Sequence, residues 1–241
     1  MTTQSLLWAY TPPLERGQLI RRYKRFLADI ETENGETLTI HCPNTGSMRG
    51  LAEPGTGVWY SVSENAKRKY PNTWELAEPR PGVLACVHTG RPNQVLCEAL
   101  RLGLIPPLRH YTQVRPEVTY APGCRADAML SAEGQPDAVV EIKNVTLLEK
   151  GQGYFPDAVS VRAHKHLAAL ADVARSGRRA VLLYAVSHSA IHSVAPAVHI
   201  DPEYGRALQS ARAAGVEVMA WRLALSVAGI GLGDQVPVVG S

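Results

Sequence analysis

Apolar and polar positions alternate in short runs through the first third of the chain. Arg22–Ile30 reads as a strand, Asn34-Gly35 is a two-residue hairpin signal, and Thr37–His41 returns. Val58–Ser63, Thr73–Glu78 and Val83–His88 are three more short strands, punctuated by Gly, Pro and Asn. Five short strands with almost no helical periodicity predict a small barrel or twisted sheet, and an oligonucleotide-binding barrel is one such solution. Tyr23, Phe26, Trp59, Tyr60 and Trp74 offer stacking faces there, although aromatic rings also fill small β cores.

The pattern changes near Pro92. Asn93–Leu102 has helical spacing and stops at Gly103. Val114–Tyr120, Arg125–Leu130 and Ala138–Lys143 follow as strands. Ser160–Arg175 carries an apolar helical stripe at Val161, Leu167, Leu170 and Val173. Ala180–Val186 is apolar without alternation, as in a strand covered on both faces. Asp201-Pro202 caps another helix, and Val216–Leu223 is a final strand. The second part thus reads α-β-β-β-α-β-α-β, a mixed α/β domain.

Composition narrows the class. An apolar fraction of 45% and a charged fraction of 20% over 241 residues exclude a disordered, collagen-like or coiled-coil chain. No apolar run approaches the ~18–20 residues of a membrane span, and Met1 to Gly17 lacks the pattern of a secretory signal. Cys42, Cys86, Cys97 and Cys124 form no CxxC pair, so a reduced, cytoplasmic setting is expected. The formal charge of +3 is small, but its distribution is uneven. Arg16, Arg21, Arg22, Lys24 and Arg25 cluster, and so do Lys67, Arg68 and Lys69. Such clusters attract phosphate by counterion release, and they also serve simply as solvated faces.

The sharpest candidate chemistry is Asp127 on one predicted strand and Glu141-Ile142-Lys143 on the next. Alternation puts Glu141 and Lys143 on one face, with Cα atoms about 7 Å apart, and Ile142 on the other. If the strands form a hairpin, the Asp127 and Glu141 carboxylates and the Ile142 carbonyl make a hard-oxygen site for Mg²⁺, or for Mn²⁺ in its place. Lys143 would hold a water there. A plain Glu–Lys or Asp–Lys ion pair at a sheet edge is the competing explanation. Glu98, on the preceding helix, could add a third carboxylate. Arg162, Lys165 and His166 on the later helix could grip a phosphate or form a solvated basic face. His164 and His166 diverge on a helix, which argues against zinc. The segment from His41 to Met48 suits a turn whose N–H groups converge on an anion. Cys42 has no assignable partner for nucleophilic chemistry.

Several runs are specific enough to suggest a family. They include Arg22-Tyr23-Lys24-Arg25-Phe26-Leu27-Ala28-Asp29, His41-Cys42-Pro43-Asn44-Thr45-Gly46-Ser47-Met48, Asn65-Ala66-Lys67-Arg68-Lys69, Thr73-Trp74-Glu75-Leu76, Glu141-Ile142-Lys143-Asn144-Val145-Thr146-Leu147 and Phe155-Pro156-Asp157-Ala158-Val159. Over nearly its whole length the chain resembles the bacterial and archaeal sugar fermentation stimulation proteins. The resemblance implies an N-terminal oligonucleotide-binding-like barrel over residues 1–88. A mixed-sheet α/β domain over residues 89–241 would be similar to the PD-(D/E)XK nucleases. It also implies DNA binding and a link to sugar (maltose) metabolism. The nuclease-like pattern falls on Asp127, Glu141 and Lys143, with Glu98 as the helix carboxylate. Two positions depart from the pattern. Ala126 stands where the superfamily's name has Pro. His164 stands where the family tends to have Gln, which alters the implied phosphate contacts.

The leading expectation is a DNA-binding protein with a Mg²⁺-dependent phosphodiester-cleaving site. A non-enzymatic DNA-binding regulator with an unused pocket is the main alternative, and a hydrolase of small phosphoesters is a third.

Overall fold

The computed structural model describes residues 5–240, so residues 1–4 and 241, at the outer ends of the two expected domains, lie outside the described residues. After β1 (Leu6–Ala9) the chain enters six strands: β2 (Glu15–Tyr23), β3 (Leu27–Thr32), β4 (Thr37–His41), β5 (Gly57–Val62), β6 (Asn72–Arg80) and β7 (Val83–Cys86). Their order is β4-β3-β2-β5-β6-β7, and a parallel pairing of His41 with Thr73 joins β4 back to β6. Strands β2 to β6 therefore close into a five-stranded barrel. Inward positions Leu19, Ile30, Ile40, Val58 and Trp74 fill it, and the Trp74 indole N–H donates to the Leu76 carbonyl (2.9 Å). Residues 72–77 of β6 are all buried because Trp74 and Ala77 face the barrel core while Leu76 packs into the second lobe.

The strand expected over 22–30 is broken at a tight turn in which Lys24 and Arg25 adopt positive φ (49° and 64°). Non-glycine residues there cost roughly 1–2 kcal/mol each. The Arg22 guanidinium offsets that cost by donating to the carbonyls of Arg25 (2.8 Å), Asn44 (2.8 Å) and Gly46 (3.0 Å).

The second lobe begins with α1 (Gly90–Arg101). It continues through β8 (Gln113–Ala121), β9 (Cys124–Ser131), β10 (Ala138–Val145), β11 (Leu147–Glu149), β12 (Gln152–Phe155), α2 (Val161–Arg175) and β13 (Arg179–Val186). It ends with β14 (Ser193–Pro196), α3 (Pro202–Ala213), β15 (Glu217–Ser226) and β16 (Gly229–Val236). A seven-stranded mixed sheet runs β1-β16-β15-β13-β10-β9-β8, and β11, β12 and β14 form a small second sheet. Helix α1 covers one face of the large sheet through Val95, Leu96, Ala99 and Leu100. Helices α2 and α3 cover the other through Leu167, Leu170, Tyr204 and Leu208. Covered on both faces, β13 is buried from Ala180 to Val186. Ser160 and Asp201 cap α2 and α3 by accepting the N–H groups of Ala163 and Tyr204.

Strand β1 lies within the segment expected for the barrel, yet it pairs with β16 at the edge of the second lobe's sheet. That pairing needs glycine on β16: a Cβ at Gly229 would run into the Trp8 carbonyl oxygen. The lobes are joined by backbone bonds from Cys86 N–H to the Ser187 carbonyl and from Ser189 N–H to the Leu84 carbonyl (both 2.8 Å). All four cysteines are free and buried. Among the described residues no helix is long and apolar enough to cross a membrane.

Candidate active site at a strand fork

Strands β9 and β10 pair from Leu130–Ala138 to Ala128–Val140, and their ladder stops there. The break centres on Asp127. Its neighbours Ala126 and Ala128 face opposite sides of the sheet, and Glu117, across from it on β8, has φ 57°. Beyond the break the Asp127 side chain takes over from the missing strand, since its Oδ2 accepts the Ile142 N–H (2.6 Å). Its Oδ1 accepts the amide N–H of Asn93 on α1 (2.7 Å). The Ile142 carbonyl points toward the same edge as its N–H, so it faces the gap between the strands.

Glu141 and Lys143 face α2, and Ile142 faces α1, as alternation requires. Glu141 is 2% exposed. Its Oε1 accepts from Lys143 Nζ (2.6 Å) and from His166 Nδ1 on α2. Arg162 Nε donates to His166 Nε2 (3.4 Å), which leaves Nδ1 as the protonated nitrogen turned to Glu141. Glu141 Oε2 is buried and has no partner.

The electrostatics separate the two carboxylates. Burial, and then the Glu141 charge, push Asp127 up from 3.8 to about 6 despite the Ile142 hydrogen bond. Burial also acts to raise Glu141, but the His166 and Lys143 contacts outweigh it and hold Glu141 below the usual carboxylate range. Tyr120 on β8 is close enough for both charges to act on it. Burial, then Glu141, then Cys124 and Asp127 raise its phenol above the ordinary range, and its hydroxyl is buried without a partner.

Asp127, Glu141, Ile142 and Lys143 are thus brought together. Glu98 is not: it is partly exposed, pairs with Arg101 (3.2 Å), and reaches only the wall of a cleft of about 490 Å³ that also contains Asp127. Asn93, five residues earlier on α1, is the residue of that helix that bonds to Asp127. Among the described residues no group of three or more His, Cys, Asp or Glu side chains is arranged to hold a metal, so the candidate donors are two carboxylates and a carbonyl.

Of the residues expected to meet nucleic acid, Lys24, Arg25, Lys67, Arg68, Lys69, Arg162 and Lys165 are exposed. Arg68 also donates to Thr73 Oγ1 (3.0 Å). Arg22 is spent on three barrel carbonyls, and His166 is buried (3% exposed) against Glu141 rather than presented on the surface. His164 turns away to both oxygens of Asp201 (2.9 and 2.8 Å). The anion-seeking turn near residue 45 does find a carboxylate. The Ser47 N–H and hydroxyl donate to Asp157 Oδ2 of the second lobe (3.1 and 2.7 Å). Cys42 lies in the barrel core, where burial raises its thiol.

Two family models align with these two lobes. One, the SfsA N-terminal OB domain, matches residues 20–87, and the other, the sugar fermentation stimulation protein RE domain, matches residues 90–229. The chain belongs to the sugar fermentation stimulation protein family. A solved structure of the same fold, that of Pyrococcus furiosus SfsA in complex with Ca²⁺, matches with a TM-score of 0.87 at 23% sequence identity. The match covers 98% of this chain and 100% of that one. Asn93, Tyr120 and His166 surround the paired carboxylates in this family member. Of these, sequence reasoning considered only His166, and in another role. Asn93 and Tyr120 carry no spacing signal, because strand register and helix docking alone bring them to the site.

Proposed function

We propose that this family member is a divalent-cation-dependent phosphodiesterase acting on nucleic acid, with DNA as the first substrate to test. The observation that carries the proposal is the pairing of Asp127 with Glu141 across the Ile142 amide, with Glu141 Oε2 buried and unpartnered. An orphaned anionic oxygen beside a second carboxylate raised by burial and then by its charge is a donor set that suits a hard cation. Asp127, Glu141 and the Ile142 carbonyl would hold Mg²⁺ or Mn²⁺, and the Ca²⁺ complex of the archaeal relative supports a divalent ion in this fold. Such an ion supplies Lewis acidity at a phosphoryl oxygen and acidifies a bound water.

The chain's own groups do the rest. Asn93 and the Ile142 N–H hold the two Asp127 oxygens, while His166 and Lys143 both occupy Glu141 Oε1 and leave the buried Oε2 without a partner. Lys143 Nζ, bonded to Glu141 Oε1, would hold the attacking water. The water oxygen would bond to phosphorus as the bond to the leaving oxygen breaks, the water giving up one proton to solvent and the leaving oxygen taking one up from solvent. The exposed cations Lys24, Arg25, Lys67, Lys69, Arg162 and Lys165 would hold the strand by its phosphates, largely without reading bases.

Nicking of supercoiled plasmid in Mg²⁺ or Mn²⁺ tests this reading. The parent should cut, and Glu141→Gln and Lys143→Gln should bind DNA without cutting. Variants that cut like the parent would sink it. Binding without cleavage in any divalent ion would return the non-enzymatic regulator.

A further inference from the structure

Where the barrel meets the second lobe, a cavity of about 190 Å³ is lined by Arg49 and Arg80 from the barrel and by Thr146 and His188 from the lobe. No carboxylate faces it. Among the described residues neither arginine has an ion-pair partner. His188 is 2% exposed and is locked in place by a backbone bridge to Ala85. Its Nδ1 accepts the Ala190 N–H (3.2 Å). Burial, and then the Arg80 charge, hold the ring near pKa 4, so at neutral pH it is uncharged. A neutral imidazole whose Nδ1 accepts must carry its proton on Nε2, and no protein group among the described residues accepts that proton. The wall thus combines two unpaired guanidinium forks, a fixed imidazole donor and a hydroxyl, and it offers no anion to match them.

We propose that this cavity is a phosphate-binding site, formed only when the two lobes are docked. Arg49 and Arg80 would supply charge and forked hydrogen bonds. His188 Nε2–H and the Thr146 hydroxyl would complete the cradle from the other side. Two guanidinium charges with no carboxylate among the lining residues repel a metal cation, and they match the charge of a phosphate dianion better than that of a carboxylate. The phosphate can be free in solution or part of a nucleic-acid strand. The inference is independent of hydrolysis at Asp127 and Glu141.

Calorimetric titration of the full chain in EDTA tests it, with inorganic phosphate as one probe and a thymidine oligonucleotide with hydroxyl ends as the other. The exposed pair Arg49→Gln/Arg80→Gln should weaken phosphate binding at least tenfold, while Arg206→Gln, on the surface of α3, should leave it unchanged. If the natural ligand is a strand phosphate, the oligonucleotide will compete with inorganic phosphate and be weakened by the same pair. If only free phosphate enters, it will not compete, and the site still stands. A parent that binds neither probe saturably, or a double variant that binds phosphate like the parent, would overturn the assignment.

Discussion

Replacing Asp127 by Asn should stabilise the protein in EDTA by about 3 kcal/mol at pH 8, by about 1 kcal/mol at pH 4.5 and hardly at all near pH 3. The Asp127 carboxyl goes from an ordinary 3.8 to about 6 on folding, which corresponds to about 3 kcal/mol at about 1.4 kcal/mol per pH unit. The sign follows from proton counting. Between those two pKa values the folded chain binds more protons at this site than the unfolded chain, so stability falls as pH rises and levels off above about 6. An Asn side chain keeps an oxygen for the Ile142 N–H and turns its amide toward Asn93, whose own amide can flip to accept. It carries no charge to desolvate beside Glu141. Urea unfolding of parent and variant at pH 4.5 and pH 8 should therefore show a stability difference that grows from about 1 kcal/mol at the lower pH to about 3 kcal/mol at the higher. Added Mn²⁺ should narrow the gap by stabilising the parent alone. A difference that stays flat across this pH range would refute the claim that the two carboxylates repel each other in a buried pocket.

Two further outcomes follow from the same contacts. His166→Ala should leave Glu141 with one donor and cost about 1–3 kcal/mol, whereas His166→Asn, whose amide N–H can replace Nδ1–H, should recover most of that and most of the Mn²⁺ affinity in a calorimetric titration. Arg91→Ala should cost about 3–5 kcal/mol in chemical denaturation, because it strands Glu75, which is fully buried and receives two Arg91 hydrogen bonds (3.0 and 2.8 Å).

The elements that hold the chemistry were legible because their side chains repeat at the period of their backbone. Glu141 and Lys143 stand out in an apolar run, and alternation alone puts them on one face. Strand β16 was missed because Gly229, Gly231 and Gly233 read as loop, whereas they let β1 and neighbouring backbone come close. Strands β11, β12 and β14 have only three or four residues each, too few for a period to show. Glu98 was a reasonable choice by residue type. Helix α1 brings Asn93 to Asp127, while Glu98, paired with Arg101, lines the same cleft. His166 was read as a surface cation because its sequence neighbours are basic. Its burial depends on where α2 crosses β10, which no local pattern records.

Helix α1 explains why the two lobes belong together. In its first turn Arg91 pairs with Glu75 of β6 and stacks on the Trp8 ring (4.1 Å) of β1. Two residues later Asn93 holds Asp127. A displacement of the barrel would have to pull on a buried ion pair that is within one helical turn of the candidate cation site. The barrel loop at Ser47 is likewise tied to Asp157, and β7 is hydrogen-bonded to the loop that carries His188. Three separate attachments around one junction resist hinge motion better than any one of them could. A strand gripped by the barrel would then meet the paired carboxylates at a fixed distance, so the position of cleavage would be set by the rigid docking of the lobes and not by base recognition.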